Sequence, residues 1–242
     1  MNSIEIHFDP ELAEFFRAEQ RVLYPLDRRA SIKDIVEAQG VPHTEVGEIL
    51  ADGCPVNFEY LPCPGRKIFI RAVQAPFDVT SPSLLRPRPF KNMRFAVDVN
   101  VGKLAPFLRM LGYDTFFDNK LADEQIAALA LDQQRVVLSR DRGLLKRKRI
   151  EYGRLIRADK SQDQFQEVVW FFGLNSSNIF TRCLCCNTEL ESVEKKRIIH
   201  RLEPKTKKYF NRFSICPRCG RIYWPGSHWE KMNKLVKNTG MN

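Results

Sequence analysis

Ile4-Glu5-Ile6-His7-Phe8 alternates apolar and polar side chains, the period of a half-buried strand. Leu12, Phe15 and Phe16 then fall at helical spacing. Ser31 is placed to cap a helix beginning at Ile32, with Ile35 and Val36 as its apolar face, and Gly40 stops it ahead of Pro42. Asp52-Gly53 and Pro64-Gly65 read as turns. Val56-Asn57-Phe58-Glu59-Tyr60 alternates again, and residues 67–73 close the segment as a strand. Residues 74–92 break the pattern with Pro76, Pro82, Pro87 and Pro89 and show no period. Such a stretch predicts an extended, semi-rigid spacer, and Arg86, Arg88 and Lys91 give its end charge for contacting phosphate.

From residue 94 to about 172 short apolar runs alternate with helical segments. Phe95-Ala96-Val97-Asp98-Val99 predicts a strand ending in a carboxylate, and Leu104, Leu108 and Leu111 follow at helical spacing up to Gly112. Asp114-Thr115-Phe116-Phe117 predicts a second short strand. Residues 123–131 read as a helix with Ile126, Leu129 and Ala130 on one face. Val136-Val137-Leu138 predicts a third strand, Leu155-Ile156 a fourth, and residues 164–172 a last helix. This alternation implies a parallel sheet with flanking helices, so the fold class expected is α/β. The chain divides into residues 1–73, a Pro-rich linker at 74–92, an α/β domain at 93–175 and a cysteine-bearing end at 176–235.

Charge changes the picture. The formal net charge is +10, yet residues 1–80 carry 8 basic and 13 acidic side chains, leaving 31 basic and 16 acidic beyond them. An acidic head on a strongly basic body is the footprint of a polyphosphate partner, with a merely solvated basic surface as the alternative. No apolar run approaches the ~20 residues of a membrane span. Residues 1–9 lack the features of a signal peptide, so a cytoplasmic protein with no membrane partner is expected.

Cys183-x-x-Cys186 and Cys216-Pro-Arg-Cys219-Gly220 have the two-plus-two spacing of a structural zinc site. Cys185 lacks the x-x spacing. Between the knuckles, Lys195, Lys196, Arg197, Lys205, Lys207, Lys208 and Arg212 interleave with Tyr209, Phe210 and Phe213, a mixture that can hold phosphates and stack on bases. For Phe210 and Phe213, packing beneath the ribbon is the better expectation. Asp98 and Asp141 each follow a predicted strand, where ligands gather in open parallel sheets. Asp123 and Glu124 open a helix, and Asp159 follows the fourth strand. Convergent carboxylates hold Mg2+ or Mn2+; equally, an Asp after a strand caps a helix or turn. The run Ser139-Arg140-Asp141-Arg142-Gly143-Leu144-Leu145-Lys146-Arg147-Lys148-Arg149 surrounds an acid with cations, consistent with a metal beside a phosphate backbone or with a solvated face of Arg–Asp pairs.

Phe95-Ala96-Val97-Asp98, the stretch Gly102-Lys103-Leu104-Ala105-Pro106-Phe107-Leu108-Arg109-Met110-Leu111-Gly112-Tyr113-Asp114-Thr115, and Ser139-Arg140-Asp141-Arg142-Gly143-Leu144-Leu145 together resemble the Mut7-C family of PIN-like nucleases. The likeness continues through the cysteines to Tyr223-Trp224-Pro225-Gly226-Ser227-His228. Residues 1–73 resemble the ubiquitin-like β-grasp domain that precedes it in relatives. They run on through Ala72-Val73-Gln74-Ala75-Pro76 rather than ending in a Gly-Gly tail, which argues against a carrier role. The resemblance implies a PIN-like α/β domain with a C-terminal zinc ribbon, and a metal-dependent RNase. Its acids would be Asp98, Asp141 and, further, Asp123 and Asp159. Lys103, Arg109, Arg140, Arg142, Lys146 and Arg147 would hold RNA. The alternatives are a non-catalytic RNA-binding adaptor and a module that docks a protein partner through residues 1–73.

Overall fold

The structure, a computed structural model, describes residues 2–15 and 20–237. Strand β1 (Ser3–Phe8) buries Ile4, Ile6 and Phe8 as its alternation requires. It lies between β2 (Arg21–Pro25) and β5 (Lys67–Ala72), and β3 (Val46–Ala51) and β4 (Cys54–Pro55) complete the order β2-β1-β5-β3-β4. Only β1 and β5 pair in parallel. Helix α1 (Ile32–Ala38) starts at Ser31, whose hydroxyl accepts from the Asp34 amide in a reciprocal capping box, and turns its Ile32, Ile35 and Val36 face inward. Asp52 and Gly53 both adopt positive φ, the hairpin turn that Asp-Gly predicts.

Two expectations fail here. Residues 56–60 form no strand: the carbonyls of Tyr60 and Phe58 instead accept from Ile32 and Lys33, the orphan amides of α1. The sequence pattern predicts no strand at β2, an edge strand whose Leu23 faces outward. Phe16 lies outside the described residues.

The second sheet is wholly parallel, in the order β7-β6-β8-β9, from β6 (Phe95–Val97), β7 (Thr115–Phe116), β8 (Val136–Ser139) and β9 (Gly153–Leu155). Helices α2 (Leu104–Met110), α3 (Asp123–Asp132), α4 (Arg142–Leu145) and α5 (Ser161–Phe172) flank it. Pro106 is the third residue of α2, where its missing N–H breaks no helical bond. The C-terminal unit has a three-stranded sheet, β10 (Glu191–Ser192), β11 (Ser214–Ile215) and β12 (Ile222–Tyr223), with α6 (Lys195–Ile198) and α7 (Pro204–Tyr209) between β10 and β11 and α8 (Ser227–Lys237) after it. Phe213 is buried with Ile198 and Leu202, and Phe210 packs against them.

The expected spacer is a packed strap. Val79 and Phe90 are buried in the core around Phe95 and Tyr152, and Leu85 in the core shared by the ubiquitin-like head and the parallel sheet. Arg86 is almost wholly buried. Its guanidinium donates to the carbonyls of His43, Thr44, Val46 and Glu151 and lies over the rings of Phe77 and Tyr152. Its donors are spent inside the fold, and Arg88 pairs with Glu151.

Both edges of the parallel sheet are closed by side chains from the flanking units. On β9 the outward amide of Leu155 donates to the buried carboxylate of Glu45 at 2.7 Å, and Arg154 and Arg157 pair with the same group. On β7 the outward amide of Thr115 donates to Asn187 Oδ1 at 3.0 Å. An uncovered edge is a template for unwanted strand pairing, and here each edge has a dedicated acceptor.

Candidate active site and metal centre

Strands β6 and β8 are parallel neighbours, so the residues that follow them emerge at one edge of the sheet. Asp98 caps the 3-10 turn Val99–Val101 and is 5 % exposed. Asp141 caps α4 through the amides of Gly143 and Leu144, which donate to its Oδ1 at 2.6 and 3.3 Å. Between them stands Ser139, fully buried. Its hydroxyl donates to Asp98 Oδ2 at 2.6 Å and accepts from the Asp141 amide at 2.8 Å. Asn100 completes the network: its Nδ2 donates to Asp98 Oδ2 at 2.6 Å and to Ser139 Oγ at 3.2 Å, and its Oδ1 accepts from the Arg140 amide at 3.0 Å. The Val99 amide donates to Asp98 Oδ1. The hydroxyl uses its one proton and both lone pairs, which fixes the orientation of Asp98 relative to the chain leading into Asp141.

The other acids stand apart from this network. Asp123 and Glu124, in the first turn of α3, pair with Arg147 at 3.6 and 3.0 Å. Asp159 is highly exposed and pairs with Arg140 at 2.7 Å. Among the described residues no three carboxylates come together at distances suited to one ion. The group that does is Cys183, Cys186, Cys216 and Cys219, whose sulfurs all lie within 4.8 Å of one another.

The two cysteine knuckles share a backbone device. The Asn187 amide donates to the Cys183 carbonyl, and the Gly220 amide to the Cys216 carbonyl, each at 2.9 Å. Both turning residues have positive φ, 68° at Asn187 and 70° at Gly220, where Asn and Gly are the tolerated residues. Cys185 is exposed and outside the set. Burial opposes ionisation of Cys186, but donors from Thr188 and the sharing of protons with Cys216 and Cys183 bring its pKa down to about 6. Cys219 accepts from the Arg221 amide, which favours its thiolate, but burial and three neighbouring sulfurs push it up to about 12. Four crowded sulfurs resist becoming four anions together, and a tetrahedral cation removes that conflict; four thiolates suit zinc.

Residues 93–236, more than half of the chain, match the Mut7-C RNAse domain, and residues 1–78 match the Mut7-C ubiquitin domain. The chain belongs to the Mut7-C RNAse family. No curated protein and no solved structure matches it. A nuclease-type function directed at RNA follows from the family. No helix among the described residues is long and apolar enough to cross a membrane.

Within this Mut7-C RNAse domain the six cations expected to hold RNA have unequal freedom. Lys103 is exposed beside the 3-10 turn that follows β6. Arg140 lies at the rim, paired with Asp159. Arg109 is a correction. It is buried and donates to the carbonyls of Thr115, Leu184 and Cys185, so it ties α2 to β7 and to the first cysteine knuckle. Arg142 donates to the Glu14 carbonyl and lies over the Phe15 ring, Lys146 donates to the Glu37 carbonyl, and Arg147 is held by Asp123 and Glu124. Five of the six, all but Lys103, are therefore engaged by groups within the chain, most of them partners that charge patterning does not reveal. Ser139 and Asn100 join the network without a strong sequence signal, only a polar residue ending an apolar strand and an Asn two positions after an Asp.

Proposed function

We propose that the chain is a Mg2+- or Mn2+-dependent endoribonuclease whose centre lies between the C-terminal ends of β6 and β8. The hydrogen-bonded bridge from Asp98 through Ser139 to Asp141 carries this reading, because it joins two carboxylate-bearing strand ends. The oxygen donors fit a hard divalent ion held through one or two carboxylates with retained waters. Asp123 and Asp159 form exposed ion pairs with Arg147 and Arg140 and are not part of this hydrogen-bonded set, so two carboxylates rather than four carry the reading. When bound, the ion would neutralise charge on the phosphate and lower the pKa of a water. The chain's own work is to orient: Ser139 and Asn100 fix Asp98, the α4 amides fix Asp141, and Lys103 and Arg140 supply positive charge for the RNA backbone along the same edge.

A second reading, a non-catalytic RNA-binding adaptor, draws on the same geometry, because Asp98 and Asp141 both serve as local caps. Purified protein incubated with single-stranded and structured RNAs, with and without Mn2+, separates the two. The nuclease reading expects Mn2+-dependent internal cleavage that Asp98→Asn and Asp141→Asn each abolish while RNA binding persists. Unchanged cleavage by both variants, or none by the parent, overturns it.

A further inference from the structure

Apart from the carboxylate edge, the largest unexplained feature is on the zinc ribbon. Two adjoining clefts of about 450 and 720 Å3 share the aromatic residues Phe180, Tyr223, Trp224 and Trp229. Openings of this size lie within the range, roughly 300–1,000 Å3, that small-ligand sites occupy. The aromatic side chains are held in place rather than loosely displayed. Tyr223 spends its hydroxyl on Cys183 Sγ and the Leu184 amide, so it can offer only its ring. Phe180 and Trp229 pack together with their rings tilted by 33° and centroids 5.1 Å apart. Trp224 lies so close to the backbone that a Cβ on Gly226 would meet its Nε1 at 2.7 Å, and the residue is still 37 % exposed.

The charged residues on the cleft walls favour one occupant. Arg221 and Arg182 line one cleft and Arg212 the other, against a single acid, Glu194, which is already paired with Lys196. Arg182 is committed to Gly112, Asn187 and Glu189, whereas Arg221 and Arg212 have no ion-pair partner among the described residues. Fixed aromatic faces with unspent guanidinium groups suit a ligand that has both flat π surfaces and negative charge. In a family that acts on RNA, such a ligand is a run of unpaired nucleotides.

We propose that this trough binds single-stranded RNA, stacking unpaired bases on Trp224 and its aromatic neighbours while Arg221 and Arg212 hold the backbone. The inference rests on the reading that the chain acts on RNA, and it narrows the substrate to strands with unpaired bases, since a duplex keeps its base faces covered. It also departs from the composition of the ribbon insert: Phe210 packs inside the ribbon, and the nearly buried Phe213 backs the Trp224 ring at 6.4 Å on the wall of one cleft, so the exposed stacking surface comes from residues outside that insert.

The test is binding without cleavage. Full-length Asp98→Asn protein, with no divalent ion added, is titrated with a fluorescent twelve-nucleotide single strand and with a blunt duplex of the same length. Trp224→Ala is expected to weaken single-strand binding about tenfold or more and leave duplex binding unchanged, with Trp224→Phe recovering most of the loss. Arg221→Glu, at an exposed position, is expected to weaken single-strand binding severalfold. Zinc content equal to the parent certifies that each variant is folded. Equal single-strand affinity in the parent and in both variants overturns the trough while leaving the nuclease reading intact. A parent that binds neither RNA overturns both. Tryptophan fluorescence quenched by an apolar peptide but not by RNA overturns the trough in favour of a protein ligand.

Discussion

The Arg86 guanidinium donates to four backbone carbonyls drawn from the head and from the segment before β9, and burial pushes its pKa down to about 10. Removing it strands several buried acceptors at once, at about 1–3 kcal/mol for each unsatisfied group. Arg86→Met is therefore expected to lower the unfolding free energy by about 3 kcal/mol or more, read from the denaturant midpoint. Asp114 also works over long range, accepting from Arg135 and from Asn187. Burial alone would raise its pKa, but these donors and the charges of Arg135 and Arg182 hold it below the ordinary carboxylate value. The ionised group thus stabilises the fold above the unfolded pKa of about 3.9, and that contribution is lost as pH falls through the lower folded value. Asp114→Asn should be less stable than the parent near neutral pH, with a difference that narrows on acidification below about pH 4. Urea titrations at several pH values check this.

Among the elements, the four-cysteine ribbon is the piece whose stability would depend most on a bound ion. Its strands are two residues long, and its core contains few apolar side chains. Binding energy at such a site is folding energy, on the order of 10 kcal/mol in small zinc units. Cys216→Ser is expected to lose the one zinc per chain and raise amide exchange throughout residues 183–223. The effect should spread to Thr115, whose amide is held by Asn187, while exchange at Leu155 on the opposite sheet edge stays slow. Retained zinc and unchanged exchange would count against the metal assignment. Element boundaries followed the sequence well where they depend on neighbours: the Ser31 cap, the Asp52-Gly53 turn, and the alternation of β1. Residues 56–60 alternate equally well and form no strand, because the helix amides beside them were the available hydrogen-bond partners.

For the whole molecule, the spacer expected at residues 74–92 would leave the acidic head an independent bead on a tether, yet the contacts are those of an integral part. Ile4, Ile35 and Ile70 of the head share one buried cluster with Ala96, Val137, Leu145 and Leu155 of the parallel sheet and its helices. His43 reaches across to the Ile150 carbonyl at 2.7 Å. Head and nuclease unit should therefore unfold in a single calorimetric transition, and residues 93–236 alone should be aggregation-prone with β9 uncovered. A narrower test is Gly153→Val. A Cβ there would sit 2.7 Å from Leu145 Cδ2 and 3.2 Å from Thr44 Cγ2 of the head, and such overpacking typically costs about 1–3 kcal/mol. Two separated transitions in the parent would return the head to the status of an independent bead.

Residues a few positions apart settle strand and helix periods, caps and turns among themselves, and the paired cysteine spacing makes the four-cysteine cluster legible before any fold is known. The α/β order and the parallel sheet followed from the same local signals. Long-range contacts settled which arginines are core and which face solvent, that Ser139 and Asn100 tie Asp98 to the chain leading into Asp141, and that a proline-rich stretch is a packed strap. The reason is separation along the chain. The Thr115 amide meets its acceptor 72 residues away and the Leu155 amide 110 residues away, and no local pattern of polarity distinguishes an arginine that will find four carbonyls from one that will find water.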